Sequence, residues 1–468
     1  MASAAWKSGA DEREAVFHLL FRRAPFGGGF TIAAGLATAL DFLSGWRFGD
    51  DDLEYLRSVR TAQGETLFEA AFLDYLRRLE PKLDIDAVPE GTAVFPQEPI
   101  LRVSGPVVPC MLLETPLLTL LNFQTLIATK AARVCLAARG EPVLEFGLRR
   151  AQGVDGAISA ARAAFIGGCA GTSNVLAGKL LGIPVSGTHA HSWVMLFDGQ
   201  REAFAEYARA MPHNVVLLVD TYDSARGIDD AIEVGRMLRA QGRDLTGVRL
   251  DSGDLAWLSI EARKKLDAAG FEKTNILASN ELDEHLIESL KLQGARINVW
   301  GVGTRLVTGG DEAALGGVFK LSAVREPGGR FRPRIKLSEQ TAKISVPGVL
   351  QVRRFIANGE AAGDLIYDVE DGVSAPTLID PLDPTRRKTI PPGATHLDLL
   401  VPVWRGGQQV YRPPPLPESR AHTQSQLALF HPGIKRFVNP HTYPVGLDPV
   451  LHERRTRMIL EARKRPLS

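Results

Sequence analysis

Between Arg133 and Thr308 the chain alternates short apolar runs with stretches of helical periodicity, and no other feature constrains its fold as strongly. A strand that is followed by a helix rejoins its sheet most readily as a parallel neighbour, because a parallel crossover needs a dozen or more residues. The strand candidates are Val143 to Phe146, Pro184 to Gly187, Val215 to Val219, Gly247 to Leu250, Asn275 to Ala278 and Ile297 to Trp300. Between them Leu255, Leu258, Ala262, Leu266 and Ala269 recur at helical spacing, as do Leu282, Leu286 and Leu290, and each set predicts an apolar face turned to the sheet. Gly242, Gly270 and Gly294 stand where helix C-termini favour glycine. About six strands with short connections predict an α/β protein built on an irregular β/α barrel, complete or not, with an open doubly wound sheet as the alternative.

The flanks differ in character. Residues 1–110 combine a predicted helix, Asp11 to Phe21, with Gly- and Pro-rich extended segments such as Val94 to Val108, and read as a second, sandwich-like α/β layer. The barrel is expected over residues 111–316. Residues 317–410 are strand-rich, with Arg334 to Leu337 and Gln351 to Phe355 as examples, and are expected to rejoin the first layer. Residues 411–468 form a small C-terminal extension, in which Pro413 to Pro415 and Pro417 make a stiff linker into a basic helix, Pro449 to Lys464. That helix's charge reads as a solvated face.

Composition removes several function classes. With 55 Lys plus Arg against 54 Asp plus Glu, net charge favours neither a nucleic-acid nor a membrane-surface partner, so any bound anion must be held by local groups. No run is long enough to span a bilayer, and the opening Met1 to Lys7 lacks the pattern of a secretory leader. The three cysteines, Cys110, Cys135 and Cys169, are odd in number and lack metal-ligand spacing, which suits a reducing compartment, the cytosol.

In such folds ligands bind at the carboxyl ends of the strands, and those ends are polar here. The run Val215 to Val219 leads into Asp220, and Arg249 and Asp251 fall on one side of an extended segment. Either aspartate alone is as readily a cap or turn residue. Two of them facing an arginine fit ribose hydroxyls or a hydrated Mg²⁺ beside a carboxylate or phosphate. Gly301-Val302-Gly303-Thr304 offers an anion-binding turn, although it lacks the third glycine of a dinucleotide fingerprint and the lysine of a P-loop. Phe146 beside Arg149 and Arg150 can stack on a flat ring and hold an acid group. The run Gly187 to Trp193 places His189 and His191 where a strand meets a loop; isolated histidines there are more often scaffold than catalyst, and two at this spacing also raise a zinc alternative.

Taken together these strings resemble the nicotinate phosphoribosyltransferase family. The similarity rests on Phe21-Arg22-Arg23 with Pro25 to Gly29, Asn122 to Thr125 with Ala128 to Ala131, Glu145 to Gly153, Gly171 to Gly178 and Gly187 to Val194. It continues through Val219 to Tyr222, Arg249 to Leu255, Gly301 to Thr304 and Tyr443 to Gly446, in family order across nearly the whole chain. The resemblance implies an irregular β/α barrel beside a smaller sandwich domain, usually as a homodimer. It implies transfer of phosphoribose from phosphoribosyl pyrophosphate to nicotinate, with Mg²⁺, coupled to ATP hydrolysis. The histidine of the Gly-Thr-X-Ala-His string, His191, is then the residue phosphorylated by ATP, while His189 holds the variable position and receives no role. Thr188 and Arg249 become nicotinate contacts, Thr304 a phosphoribosyl pyrophosphate contact and Asp220 a catalytic-site residue. With the strand-end reading added, Phe146 and Arg149 fall to nicotinate, and Gly303, Asp251 and Arg150 to phosphoribosyl pyrophosphate.

One departure stands at the start. Family members usually carry a lead-in, Asp-Leu-Tyr-X-Leu-Thr, just before the segment matched here by Met1 to Gly9, and its tyrosine stacks on nicotinate in the neighbouring subunit. Loss of one such contact forfeits about 0.5–1.5 kcal/mol beyond area burial. Two rival readings follow: a shortened, catalytically silent dimer partner, or the same fold acting on nicotinamide or quinolinate.

Overall fold

The computed structural model describes residues 1–464. The chain divides into two compact units, one running from Ile127 to Ala313 and the other combining Met1–Leu126 with the chain from Ala314 onward.

The continuous unit holds a parallel sheet of six strands, β1 (Val143–Glu145), β2 (Gly171–Thr172), β3 (Val216–Leu218), β4 (Gly247–Leu250), β5 (Asn275–Ala278) and β6 (Val299–Val302). Their order across the sheet is β2-β1-β6-β5-β4-β3, every pair parallel. Helices Ser224–Ala240, Leu255–Ala268 and Glu284–Leu292 follow β3, β4 and β5. Each is opened by an aspartate whose carboxylate accepts a first-turn backbone N–H: Asp223 from Arg226, Asp254 from Trp257 and Asp283 from Leu286. The glycines just past their ends, Gly242, Gly270 and Gly294, have φ of 73°, 81° and 80°, the left-handed conformation their positions demand.

Three local expectations change. Pro184 to Gly187 does not form a strand; Val185 alone makes a parallel bridge to Thr172. The last strand is shifted from Ile297–Trp300 to Val299–Val302, because Asn298 satisfies Ile276 through both its backbone and its side chain and the ladder begins only beyond it. Gly171–Thr172 was no strand candidate, having no apolar run to mark it.

The sheet is rolled. In a flat sheet Val185, one place beyond β2, would lie six strand spacings, about 29 Å, from β3. Yet four residues later His189 Nε2 accepts the backbone N–H of Leu218 in β3 at 3.1 Å. Four extended residues reach about 14 Å, and an imidazole adds only a few ångström, so the two edges must curl towards each other. The two edges face each other across a seam spanned by residues 185–189.

The discontinuous unit is built on two sheets. The seven-stranded one runs Arg332–Pro333, Gly317–Arg325, Glu14–Phe21, Pro99–Pro106, Asp84–Ala87, Val401–Arg405 and Gln408–Gln409. The six-stranded one runs Arg387–Thr389, Thr377–Ile379, Val445–Leu447, Glu360–Asp368, Leu350–Ala357 and Thr395–Asp398. Leu101, Val103, Val352 and Ile366 place both sheets in one apolar core. The predicted helix Asp11 to Phe21 is wrong over most of its length: only Ala10–Glu12 make a short 3-10 turn, and Glu14–Phe21 is a strand hydrogen-bonded on both sides. An apolar run buried on both faces has no strand alternation to read. Arg334 to Leu337 also leaves the sheet, since Lys336 gives its amide to Ser345 Oγ instead. Among the described residues no helix is long and apolar enough to cross a membrane.

Candidate active site

Each strand of the parallel sheet ends in a polar or glycine-bearing turn, and the turns after β1, β3 and β5, with the seam segment, converge on Arg249 and Asp251. The Arg249 guanidinium donates from Nε to Ser279 Oγ at 2.7 Å, from one terminal nitrogen to Thr188 Oγ1 at 2.8 Å and from the other to Asp251 Oδ1 at 2.8 Å. These tethers come from the turn after β5, the seam segment and the residue just past β4. An arginine has five N–H donors, so three tethers leave one donor on each terminal nitrogen, available to a carboxylate. The Ser279 hydroxyl also donates to Asp251 Oδ1. Asn280, at φ 105°, then turns the chain sharply after Ser279, a strained conformation of the kind stored at functional sites.

Asp220, just past β3, is held by one oxygen only. Its Oδ2 accepts the Asp251 backbone N–H at 2.8 Å and the Ser252 hydroxyl at 2.7 Å, while the buried Oδ1 has no partner among the described residues. His191 opens the short helix His191–Val194. Its Nδ1 lies 3.1 Å from Thr221 Oγ1, its Nε2 lies 3.8 Å from Asp251 Oδ2, and its side chain is 42% exposed. One ring nitrogen is thus anchored while the other faces solvent beside a carboxylate.

The Phe146 ring stands 5.7 Å from the Arg249 guanidinium carbon. Its amide donates to Val302 O, and the ring lies over Gly301, where a Cβ would come within 2.7 Å of it. Glu145 beside it is a support: one carboxylate oxygen accepts the Gly147 amide and the other the Thr172 hydroxyl at 2.5 Å, while burial pushes its pKa up.

Other predicted residues are placed differently. Thr304 donates to Glu281 Oε1 at 3.1 Å rather than joining the arginine cluster. Gly303 has a negative φ of −112°, so its lack of a side chain matters through space: a Cβ would sit 3.3 Å from Phe146 O. Arg149 and Arg150 lie exposed on the turn Leu148–Arg150, their guanidiniums without a hydrogen-bonded or ion-paired partner among the described residues. His189 is the surprise. Its Nε2 accepts the Leu218 amide, so that nitrogen is not open to zinc, and among the described residues no group of three or more His, Cys, Asp or Glu side chains is arranged to hold a metal. Sequence reading missed Ser279, Ser252 and Thr221; Ser279 directly follows β5, the position that marked Asp220 and Asp251 on neighbouring strands.

The sequence and the fold both match known proteins. Residues 1–122 match the nicotinate phosphoribosyltransferase (NAPRTase) N-terminal domain, 142–326 the NAPRTase family and 351–455 the nicotinate phosphoribosyltransferase C-terminal domain. A nicotinate phosphoribosyltransferase of Bacillus subtilis is 41% identical over 99% of this chain and 94% of its own length. This chain belongs to the nicotinate phosphoribosyltransferase family. The human nicotinate phosphoribosyltransferase is 36% identical over 96% of this chain and 93% of its own. A crystal structure of human nicotinic acid phosphoribosyltransferase superposes with a TM-score of 0.85 at 34% identity, covering 98% of both chains. Nicotinate-nucleotide pyrophosphorylase from Pyrococcus furiosus shares the fold, with a TM-score of 0.66 at 21% identity over 91% of this chain and 92% of that one. Membership of the nicotinate phosphoribosyltransferase family makes the chain an enzyme of NAD biosynthesis, and gives the strand-end cluster its setting.

Proposed function

We propose that this chain transfers phosphoribose from phosphoribosyl pyrophosphate to nicotinate in NAD salvage, coupled to ATP hydrolysis through phosphorylation of His191. The observation that carries the substrate choice is the Arg249 fork, tethered by Thr188, Asp251 and Ser279 and left with one donor on each terminal nitrogen. A fork of this kind holds a carboxylate in one orientation and fixes the pyridine ring attached to it, with Phe146 as a neighbouring aromatic wall. The pyridine nitrogen then forms its bond to the anomeric carbon as that carbon's bond to pyrophosphate breaks. Because charge builds on the ribose ring, the protein's task is positioning and electrostatic stabilisation. Asp220 Oδ1, buried and unpartnered, fits a ribose hydroxyl or a water of hydrated Mg²⁺, with Asp251 beside it. Mg²⁺ would enter with the pyrophosphate and neutralise its charge as it departs. Gly303, Thr304, Arg149 and Arg150 supply phosphate-binding and substrate-binding groups from the turns after β6 and β1.

For ATP coupling, a proton on Nδ1 donated to Thr221 leaves the Nε2 lone pair of His191 as the nucleophile. Nε2 bonds to the γ-phosphorus as the bond to ADP breaks, and the phosphorylated ring favours the closed, productive site. The active species in this reading is a homodimer, supported by the exposed Val175, Leu176, Leu180 and Val185 on and after one short helix. Cys110, Cys135 and Cys169 form no disulfide, which accords with a cytosolic setting.

The decisive assay mixes the purified protein with phosphoribosyl pyrophosphate, Mg²⁺, ATP and, separately, nicotinate, nicotinamide or quinolinate. Nicotinate mononucleotide from nicotinate alone is the expected result. Product from nicotinamide or quinolinate instead would redirect the substrate, and none from any of the three would count heavily against the proposed reaction. His191→Ala is expected to abolish both the phosphohistidine and nicotinate-stimulated ATP hydrolysis.

A further inference from the structure

The edge strand β3 pairs with β4 on one side only, which leaves the amide of Leu218, a fully buried residue, pointing towards the seam. A strand would ordinarily take that amide. Here the acceptor is His189 Nε2 at 3.1 Å. Since this nitrogen accepts from an amide, it carries no proton, and the proton sits on Nδ1, facing Ala190 O at 3.3 Å. The ring is wedged edge-on against Tyr207, with centroids 4.8 Å apart, and lies 5.9 Å from Phe204. Its neighbours in sequence are Thr188, which tethers Arg249, and, two residues on, His191 beside Thr221.

We propose that His189 is a positioning residue: its imidazole stands in for the missing strand at the seam and so registers Thr188 and His191 against Arg249, Asp220 and Thr221. The geometry is specific to an acceptor at the far end of a rigid ring. A residue on one side of His189 holds the proposed nicotinate clamp and one on the other side is the proposed phosphoryl acceptor, so slack at the seam disturbs both together. This role rests on the catalytic reading given above, but the seam contact itself does not.

The test uses the full-length protein. In wild type, ¹⁵N spectra of histidine-labelled protein at pH 7.5 are expected to give His189 the Nδ1-protonated tautomer; an Nε2-protonated ring or an imidazolium overturns the proposal whatever the variants do. His189→Phe keeps an aromatic ring against Tyr207 and removes the acceptor, whereas His189→Gln returns one. Per folded molecule, His189→Phe is expected to lose about tenfold or more in kcat and in the rate of His191 phosphorylation, with faster amide exchange over residues 215–221, and His189→Gln to recover part of each. A folded His189→Phe protein with kcat within twofold of wild type defeats the positioning role. If wild type itself makes no nicotinate mononucleotide, the catalytic reading falls instead, and the spectra and exchange still decide whether the seam contact exists.

Discussion

Arg249 is more constrained than a charge-pairing residue needs to be. A lysine at that position would offer one point charge in place of two tethered terminal nitrogens, and would leave Ser279 and Thr188 without their shared partner. Arg249→Lys is therefore expected to lower kcat/KM for nicotinate by about 100-fold, mostly through KM, with the discrimination against nicotinamide narrowed in parallel assays. Buried histidines set a second expectation. His18 lies inside the seven-stranded sheet with Nδ1 2.9 Å from Ser322 Oγ and Nε2 accepting the Leu350 amide at 3.1 Å, and burial, aided by Arg102, holds its pKa well below the usual range. Burial lowers the pKa of His189 as well. A histidine whose folded pKa is depressed stays neutral while the unfolded chain takes up protons below about pH 6.5, so stability falls as pH drops below that value. Melting temperatures measured at pH 7.5 and 5.5 should fall for wild type, and His18→Gln should lose less between the two.

At the scale of single elements, two contacts decide where helices can sit. Gly227 in Ser224–Ala240 lies against the end of β3, where a Cβ would come within 1.9 Å of Val219 O. A backbone atom cannot give way as a side chain does, so Gly227→Ala should displace the helix or the turn bearing Asp220 and Thr221. About 1–3 kcal/mol of stability should be lost in denaturant melts, with activity falling further than stability accounts for. Glu284, at the start of Glu284–Leu292, is fully buried between Lys130 at 2.6 Å and Arg133 at 2.7 Å, both on Glu114–Ala138. Burial raises its pKa, but the two cations outweigh burial and lower it overall. Glu284→Leu would remove the buried carboxylate that pairs with both cations, and a loss of about 3–5 kcal/mol is expected from urea titration.

For the whole molecule, the proposed substrate site draws on the seam and several strand ends of one unit, so ligand binding should report on the unit's integrity as well as on its chemistry. Phosphoribosyl pyrophosphate with Mg²⁺ at about 100 times Kd should add about 2.7 kcal/mol to its stability. The corresponding rise in melting temperature should vanish in Asp220→Asn if Asp220 holds the ribose or hydrated metal, and persist in His191→Ala. Light scattering at working concentrations should give twice the chain mass, and a monomer would count against the dimer.

Strand ends were legible because their signal is local: Asp220, Arg249 and Asp251 directly follow or end apolar runs, and Gly242, Gly270 and Gly294 mark helix ends by a conformation that glycine adopts freely. The same locality misled at Glu14–Phe21, where burial on both faces erased the strand alternation, and at Pro184 to Gly187, where an extended apolar run has a single bridge instead of a ladder. Ser279 escaped notice because a serine after a strand is unremarkable until Arg249 and Asp251 are seen on either side of its hydroxyl. From residue order alone came the parallel α/β class, the polar strand ends and the family. Which side chains meet, which aspartate oxygen stays unpaired and what fills the seam were decided only by the rolled sheet, because curling brings together groups that sequence separates by tens of residues.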